Sequence, residues 1–596
     1  MSTEHYFRVK NSLNLLILLV TSILITVSQS VNAQTVQNST QSQAPPQDFP
    51  RTAPTPQPIP IPGEQLPKPE DLLPPVENPV APGDGRSFPG DIEGSIIVER
   101  FEFEGSTVFT NQELAEVVKD YVSKTITFAE LQQVAQAISK YYNDKGYITT
   151  GAYIPAEQES FNRRSAVVKI KILEGTVESI EISGNRRLNP DYVRSRIAIA
   201  AGKPLNVKKL LQALQVLQLN PLIKNISAEL AQGTNPGASV IDVKIAETKT
   251  FNLQATFDNS RVPSIGTLQR KIQLNEANLS GNGDTLSLGY GNTDGSNDYD
   301  VSYTLPINPY DGTIELSYSR TTSNVIEEPF DVLDINGRSQ EYSITYRQPI
   351  FKTPGTEVAL GLTASRRESD IGFLNNLVGR REAFPSPGAR DGETKLSVIR
   401  FFQEFTDRNE KQVFAARSQF NLGTGVFEAT NNATAPDGEF FSWRGQAQYV
   451  RLLAPDTILL LRTDAQLADR ALVPLEQFGL GGQQTVRGYR QDLLLSDSAF
   501  FASAEVRYPI VRLPQLGGIL YLTPFVDFGA VSNVSASGRQ ALDPSTIVST
   551  GLGLNWQSSQ FNARLDWGIP LVDVNSSNNT LQEDGLHFSL NYIQPF

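Results

Sequence analysis

The chain of 596 residues contains no cysteine, so neither a disulfide framework nor a thiolate metal site can be built. Histidine is nearly absent too: there are two, and His5 lies in an N-terminal segment that reads as a removed leader, which leaves His587 alone. Imidazole catalysis is nearly excluded, and the residues offer no catalytic set, no metal site and no cofactor motif. No GxxxxGK[ST] phosphate loop occurs, so any driving force has to come from outside the chain. Positive charge is not in excess: Lys+Arg 51 against Asp+Glu 64 gives a formal net charge of -13, which argues against a nucleic-acid partner. The apolar run from Leu13 to Val27 is broken by Asn14, Thr21, Ser22 and Thr26 and falls short of the roughly 20 residues a helical membrane span requires.

What is present divides into five parts. Arg8 and Lys10 precede that apolar run, and Val31-Asn32-Ala33 supplies the small residues of a cleavage site, so residues 1–33 read as a secretory signal peptide rather than an anchor. Residues 34–95 are dense in proline, as in APPQDFPRTAPTPQPIPIPG and LPKPEDLLPPVENPVAPG. The expectation is an extended linker that holds no helix and contributes to no core. Residues 96–174 and 175–248 carry a diverged repeat: VERFEFEGSTVFTNQEL ending in AVVKIKILEG is echoed by VESIEISGNRRLNPDYV ending in SVIDVKIAET, with Gly105 and Gly184 in matching places. Each unit reads strand, glycine turn, helix, helix, strand, strand, with helices over 111–121 and 128–144 in the first. An α/β module of this kind exposes an edge strand to which an extended peptide can add, although a passive spacer fits the pattern equally well.

From residue 249 to 596 apolar and polar residues alternate in segments of about ten, the weak signature of a membrane-spanning β-barrel. In DTLSLGYG, Leu286, Leu288 and Tyr290 share a face; in GTIELSYS, Ile314, Leu316 and Tyr318 do. The segments number about sixteen, and long and short gaps alternate between them. Short turns face the periplasm in such barrels, so both barrel ends and the two modules belong there, and the long connections, including the stretch around Thr434, belong outside. The last segment, LHFSLNYIQPF, aligns Leu590, Tyr592 and Phe596 and stops on an aromatic residue. A soluble β-sandwich needs no such ending.

The order of signal, proline-rich stretch, two modules and sixteen strands resembles the two-partner secretion transporters of the TpsB type, which export haemolysins and filamentous haemagglutinins. The modules resemble POTRA (polypeptide-transport-associated) domains through FEFEGSTVFTNQEL and KGYITTGAYIPAE, and the most specific motif is Val486-Arg487-Gly488-Tyr489 within GGQQTVRGYRQ. The fold class expected is therefore mainly β: a C-terminal 16-stranded antiparallel transmembrane barrel preceded by two small α/β POTRA modules.

The resemblance implies that the loop carrying this motif folds into the barrel, where its arginine meets an aspartate of the wall. In YLTPFVDFGAV, Phe525, Asp527 and Gly529 share one face, and the apolar set Val526, Phe528 and Ala530 shares the other, so Asp527 is the expected partner of Arg487. In a watery lumen, breaking such a pair should cost about 1–2 kcal/mol. The resemblance also implies an unfolded exoprotein as substrate, contact with outer-membrane lipid, and the barrel-assembly machinery as a partner that reads the C-terminal Phe596. Some family members carry an N-terminal plug helix, but QTVQNSTQSQAPPQ has no apolar stripe to form one. The competing readings are a barrel-assembly insertase or chloroplast-import-like channel of the same superfamily, a passive porin, and a barrel enzyme. The last has only His587 beside Ser589 and Asn591, with no carboxylate partner or nucleophile elbow.

Overall fold

A computed structural model describes residues 69–73, 95–155, 158, 165–534, 542–574 and 580–596. The signal segment, the plug position and most of the proline-rich stretch lie outside the described residues.

The described chain begins with one helical turn, α1 (Pro69–Leu72). The first module follows as β1 (Ser95–Glu104), α2 (Asn111–Val117), β2 (Thr125–Thr127), α3 (Phe128–Asp144), β3 (Gly151–Tyr153) and β4 (Ala166–Leu173), with sheet order β2-β1-β4-β3. Its two helices start at capping boxes, Thr110 with Glu113 and Thr127 with Glu130, which satisfy the first free amides of each helix. The helix expected over 111–121 stops at Val117, and Lys119–Tyr121 tightens into a 3-10 turn. The second module is β5 (Thr176–Ser183), α4 (Pro190–Ala200), α5 (Val207–Gln218), β6 (Ile223–Gln232) and β7 (Ala238–Glu247), with order β5-β7-β6.

The repeated glycines do the same job in both modules. Gly105 (φ +94) and Gly184 (φ +82) let the chain leave the first strand directly over a carbonyl of the parallel last strand. A Cβ at either place would lie 2.3 Å from the Ile172 oxygen or 2.2 Å from the Ile245 oxygen. Glycine is therefore required by position, whatever else diverges.

The expectation of a helix-free linker over 34–95 does not hold at α1. Pro69 sits at the start of the turn, where its missing N–H costs nothing, and Leu72 is buried to 1% exposure in the core of the second module. Composition alone could not reveal this, because the apolar surface that buries Leu72 comes from α5 and β6.

Sixteen long antiparallel strands from Phe251–Asp258 to Leu586–Pro595 close into a barrel, the last pairing with the first. Phe596 completes the seam: its N–H donates to the Phe251 carbonyl at 2.9 Å, and the two rings lie 5.6 Å apart. Leu590 and Tyr592 point outward on the same strand. Short turns such as 353–355, 409–411 and 559–560 lie at the end nearer the modules, and long connections such as 374–392, 425–440 and 469–497 lie at the other. The outer wall is an apolar belt, in which Leu288 faces Val301 and Leu316 faces Ile344 across neighbouring strands, all exposed. Hydrocarbon rather than water is the solvent that suits such a belt. Among the described residues no helix is long and apolar enough to cross a membrane.

The second module is tied to the barrel turns. Arg196 stacks on Tyr192 at 3.6 Å and donates to Asp311 at 2.8 Å, and Lys352 reaches the same carboxylate at 2.8 Å. The Asn189 amide donates to the Gly281 carbonyl at 2.7 Å.

Candidate functional site: a loop folded into the barrel

The connection 469–497 does not project into water. It turns inward as a small hairpin, Phe478–Leu480 paired with Leu494–Ser496, and its tip reaches the barrel wall. Gly481 (φ +110) and Gly482 (φ +96) turn the chain at the hairpin end. Gly488 (φ +93) meets the wall backbone to backbone: a Cβ there would lie 2.9 Å from the Gly568 carbonyl carbon, and a Cβ at Gly568 would lie 2.5 Å from the Gly488 nitrogen. Two glycines on different elements therefore allow one close approach.

Arg487 is the centre of the contact and has no solvent exposure. Its Nε donates to Asp527 Oδ2 at 2.7 Å and its Nη2 to Oδ1 at 2.8 Å, a two-pronged grip, while its backbone N–H also reaches Oδ2 at 3.1 Å. Nη1 donates to Glu505 Oε2 at 2.7 Å. The guanidinium lies over the Phe525 ring, 3.5 Å from its centroid. Gly529, the third residue of that face, leaves room for Leu480, whose Cδ2 would be 2.4 Å from a Cβ there. Asp527, Phe525 and Gly529 thus each meet the loop, one by charge, one by ring and one by absence of a side chain.

The neighbouring residues complete the ionic cluster. Arg564 donates to Glu505 at 2.6 Å and to Asp566 at 2.5 Å, Arg507 donates to Glu505 at 3.0 Å, and Ser503 Oγ donates to Asp527 at 2.6 Å. Arg487, Arg507 and Arg564 thereby pair with Asp527, Glu505 and Asp566. With Arg487 and Asp527 both fully buried, the expectation of a watery pair worth about 1–2 kcal/mol needs revision: losing one member of such a pair costs about 3–5 kcal/mol.

The other motif residues hold the tip in place. Val486 is buried among Phe478, Leu480, Leu494, Phe501 and Ile547. Tyr489 Oη has the Val548 and Val572 carbonyls within hydrogen-bond reach of its one proton, at 2.9 and 3.0 Å, and accepts the Val572 N–H at 3.2 Å. His587 Nε2 accepts the Gly488 N–H at 3.2 Å, so the lone imidazole supports the loop.

A second hold lies on a different part of the wall. Glu476, on the descending limb, accepts from Arg400 Nη2 at 2.8 Å, and Arg367 Nη1 donates to the Leu475 carbonyl at 3.2 Å. Sequence reading missed Glu505, Ser503, Arg564, Asp566, Gly568 and the Arg400–Glu476 pair. A signal existed for some of them: Ser503, Glu505 and Arg507 alternate on the lumen face of Ser498–Leu513, as do Arg564, Asp566 and Gly568 on Phe561–Pro570. Nothing in the alternation says which of them the loop meets.

Beneath the loop lies a cavity of about 1230 Å³. It is bounded by Lys209 and Val216 of the second module at one end, by lumen residues such as Arg417 and Asp464, and by Gln484 and Thr485 of the loop at the other. At the outer end, Val325, Ile335, Phe384, Phe440, Leu472, Val473 and Leu475 from four connections form one apolar cluster.

A lipid-facing barrel with an inward-folded loop and two α/β modules at its turn end defines an outer-membrane polypeptide transporter. Comparison with known proteins makes this particular. The family model described as haemolysin secretion/activation protein ShlB/FhaC/HecB matches residues 237–556, more than half the chain, and that of the ShlB-type POTRA domain matches residues 96–175. The chain belongs to the ShlB/FhaC/HecB family. It is similar to outer membrane transporter CdiB of Dickeya dadantii (strain 3937), at 22% identity over 73% of this chain and 76% of that one. It is also similar to heme/hemopexin transporter protein HuxB of Haemophilus influenzae (strain 86-028NP), at 20% identity over 81% and 84%. Among solved structures, CdiB from Escherichia coli has the same fold, with a TM-score of 0.63 at 20% identity, covering 86% of this chain and 94% of that one. The protein is thus a TpsB-type pore of the outer membrane, non-enzymatic, with its POTRA modules in the periplasm and a secreted exoprotein as its partner.

Proposed function

We propose that the modules capture an unfolded exoprotein in the periplasm and pass it into the barrel, and that the loop carrying Val486, Arg487, Gly488 and Tyr489 is a latch that leaves the wall to let the chain through. The observation that carries this reading is the complete burial of Arg487 between Asp527 and Glu505. A buried ionic contact with every prong used is stable when closed and poor when half open, which suits a two-position element. The cavity bounded by the second module at one end and the loop at the other, with Arg417, Arg444 and Asp464 on its wall, supplies a path that the loop obstructs. Capture is supported by β6, which among the described residues is an edge strand paired with β7 alone and able to accept an extended peptide. The driving force is folding of the exported chain outside.

The test is a double-mutant cycle. Arg487→Ala, Asp527→Ala and the double variant are compared for export and for mobility of a spin label on the loop, with barrel insertion measured in parallel. The expected result is that the effects do not add. Simple addition would mean that the two residues act separately, and the latch reading would fail even if export were lost. Deleting residues 97–174 tests capture by itself: insertion should survive and export should stop.

A further inference from the structure

The strand Thr457–Ala468 carries an arginine that the ionic cluster around the loop tip does not use. Arg462 lines the cavity beneath the loop. Among the described residues it forms no ion pair, and its Nε has no hydrogen-bond partner. Other arginines on the same cavity, Arg347, Arg400, Arg417 and Arg444, each hold a carboxylate. The acid next to Arg462 on its own strand face, Asp464, is taken by Arg444 through both oxygens, at 3.0 and 2.7 Å. The Arg462 guanidinium rests instead 5.7 Å from the centre of the Phe501 ring, a weak cation–π contact.

Register puts this arginine on one row with the loop's anchor. Arg462 is paired with Ser503, and Ser503 is paired with Asp527 on the next strand, Gly518–Ser532. Directly opposed residues of a sheet point to the same face, so the three side chains stand side by side on the lumen wall. At the backbone Arg462 and Asp527 are two strand spacings apart, about 10 Å. Ser503 Oγ spans part of that gap: it donates to Asp527 Oδ1 at 2.6 Å and accepts from Arg487 Nη2 at 3.4 Å. An arginine turning across Ser503 meets the carboxylate where Arg487 Nη2 now lies.

Departure of the loop does not affect the three carboxylates of the cluster equally. Glu505 keeps Arg507 and Arg564, and Asp566 keeps Arg564. Asp527 has Arg487 as its cation and retains only the Ser503 hydroxyl. Ser549, its neighbour on the other side, can add a hydroxyl but no charge. A carboxylate left in the wall without a cation penalises the open position. Two strands away stands a cation without a carboxylate, with the cavity in front of it to turn in.

We infer that Arg462 takes the place of Arg487 on Asp527 when the loop leaves the wall. It is a positioning residue for the open path, acting through Asp527. The inference rests on the reading of the loop as a latch. It adds that the wall pair is exchanged rather than broken, which keeps the open position within reach of the closed one.

The exchange is tested by the unfolding rate of the full-length protein in detergent and urea. Arg462→Gln should change the rate of the native chain by less than about twofold, because Arg462 holds no carboxylate there. In the Arg487→Ala background it should raise the rate at least about tenfold, because Asp527 then loses its replacement cation. Adding Asp527→Asn to that background should return the effect of Arg462→Gln to within about twofold, and Arg462→Lys, which keeps the charge, should cost less than Arg462→Gln. An equal effect of Arg462→Gln in all these backgrounds would overturn the exchange, since an arginine that is merely solvated or structural does not sense whether Arg487 is present. Should Arg487→Ala with Arg462→Gln fail to insert, Asp527→Asn should restore insertion, and no restoration would overturn the exchange as well.

The part played in opening has its own readout. In the otherwise native chain Arg462→Gln should slow export at least about fivefold, as a destabilised open state predicts. Insertion and the resting mobility of a spin label at Gln484→Cys should stay as they are, and Arg462→Lys should restore most of the export. A normal export rate would overturn the role in opening. The unfolding comparison removes Arg487 by mutation and so does not depend on whether the loop moves. Failure of the exchange is therefore distinguishable from failure of the latch, which the Arg487–Asp527 cycle measures.

Discussion

The barrel holds two arginine contacts that look alike on paper and differ in their surroundings. Arg487 lies inside the lumen with 0% exposure on both sides of its pair with Asp527. Arg196, at the junction of the second module and the turns, grips Asp311 at a similar distance, but Asp311 is 25% exposed and Lys352, which shares it, is 34% exposed. Each has an aromatic platform, Phe525 for one and Tyr192 for the other. The difference teaches what water does to an ion pair. Where water can take either partner, the pair is a soft tie, worth about 0–1 kcal/mol and tuned by salt. Where it cannot, the pair behaves as a hold that is either made or lost.

The comparison is best broken at its strong end. Arg487→Ala should remove about 3–5 kcal/mol from the hold on the loop, because Asp527 and Glu505 are left buried with one cation fewer. Export should stop while the barrel still inserts, as measured by secretion assay and heat-modifiable mobility of the membrane fraction. A normal secretion rate would show that the loop is not what controls the path.

The second hold tests whether the wall grips the loop at one place or two. Glu476→Gln weakens the bond from Arg400 and should cost about 1.5–3 kcal/mol, the range for hydrogen bonds to charged groups. A spin label placed by Gln484→Cys, at an exposed position of the loop, should gain mobility less than in Arg487→Ala and most when the two changes are combined. Equal mobility in native and Glu476→Gln chains would confine the hold to the tip.

At the junction the expected effects are smaller and depend on solution conditions. Asp311→Asn should loosen the second module by about 0.5–1 kcal/mol, and by less at high salt. Burial raises the Asp311 carboxyl, but Lys352 and Arg196 more than offset this and hold it below the usual carboxylate value. The stabilisation is therefore fully present above a pH of about 4 and is lost as pH falls through the lowered value. Limited proteolysis between the second module and the barrel across pH 6 to 3 should show that loss in the native chain and a flatter profile in Asp311→Asn. The smallest effect concerns orientation alone. An epitope tag after Thr434, an exposed position in 425–440, should be reachable on intact cells and leave export unchanged; a tag reached only after permeabilisation would exchange the two ends of the comparison.

The sequence by itself determined the parts whose logic is periodic or local. Period-two alternation marks the membrane strands because each strand must show one face to lipid and one to the lumen. Gly105 and Gly184 mark the two modules because a carbonyl crosses over each of them. Thr110 with Glu113 and Thr127 with Glu130 mark helix starts because capping is completed within four residues. The Arg487–Asp527 pairing was legible only through family resemblance together with the inward phase of Asp527, since a lone arginine and a lone aspartate name no partner. What tertiary structure alone decided is long in range. Glu505 and Asp566 join Arg487 across a closed barrel, Glu476 finds Arg400 on a strand far earlier in the chain, and Leu72 leaves a stretch that composition reads as a spacer to enter the core of the second module. None of these follows from a window of sequence, because in each case the surface that excludes water from the contact is assembled only when distant strands and helices have already met.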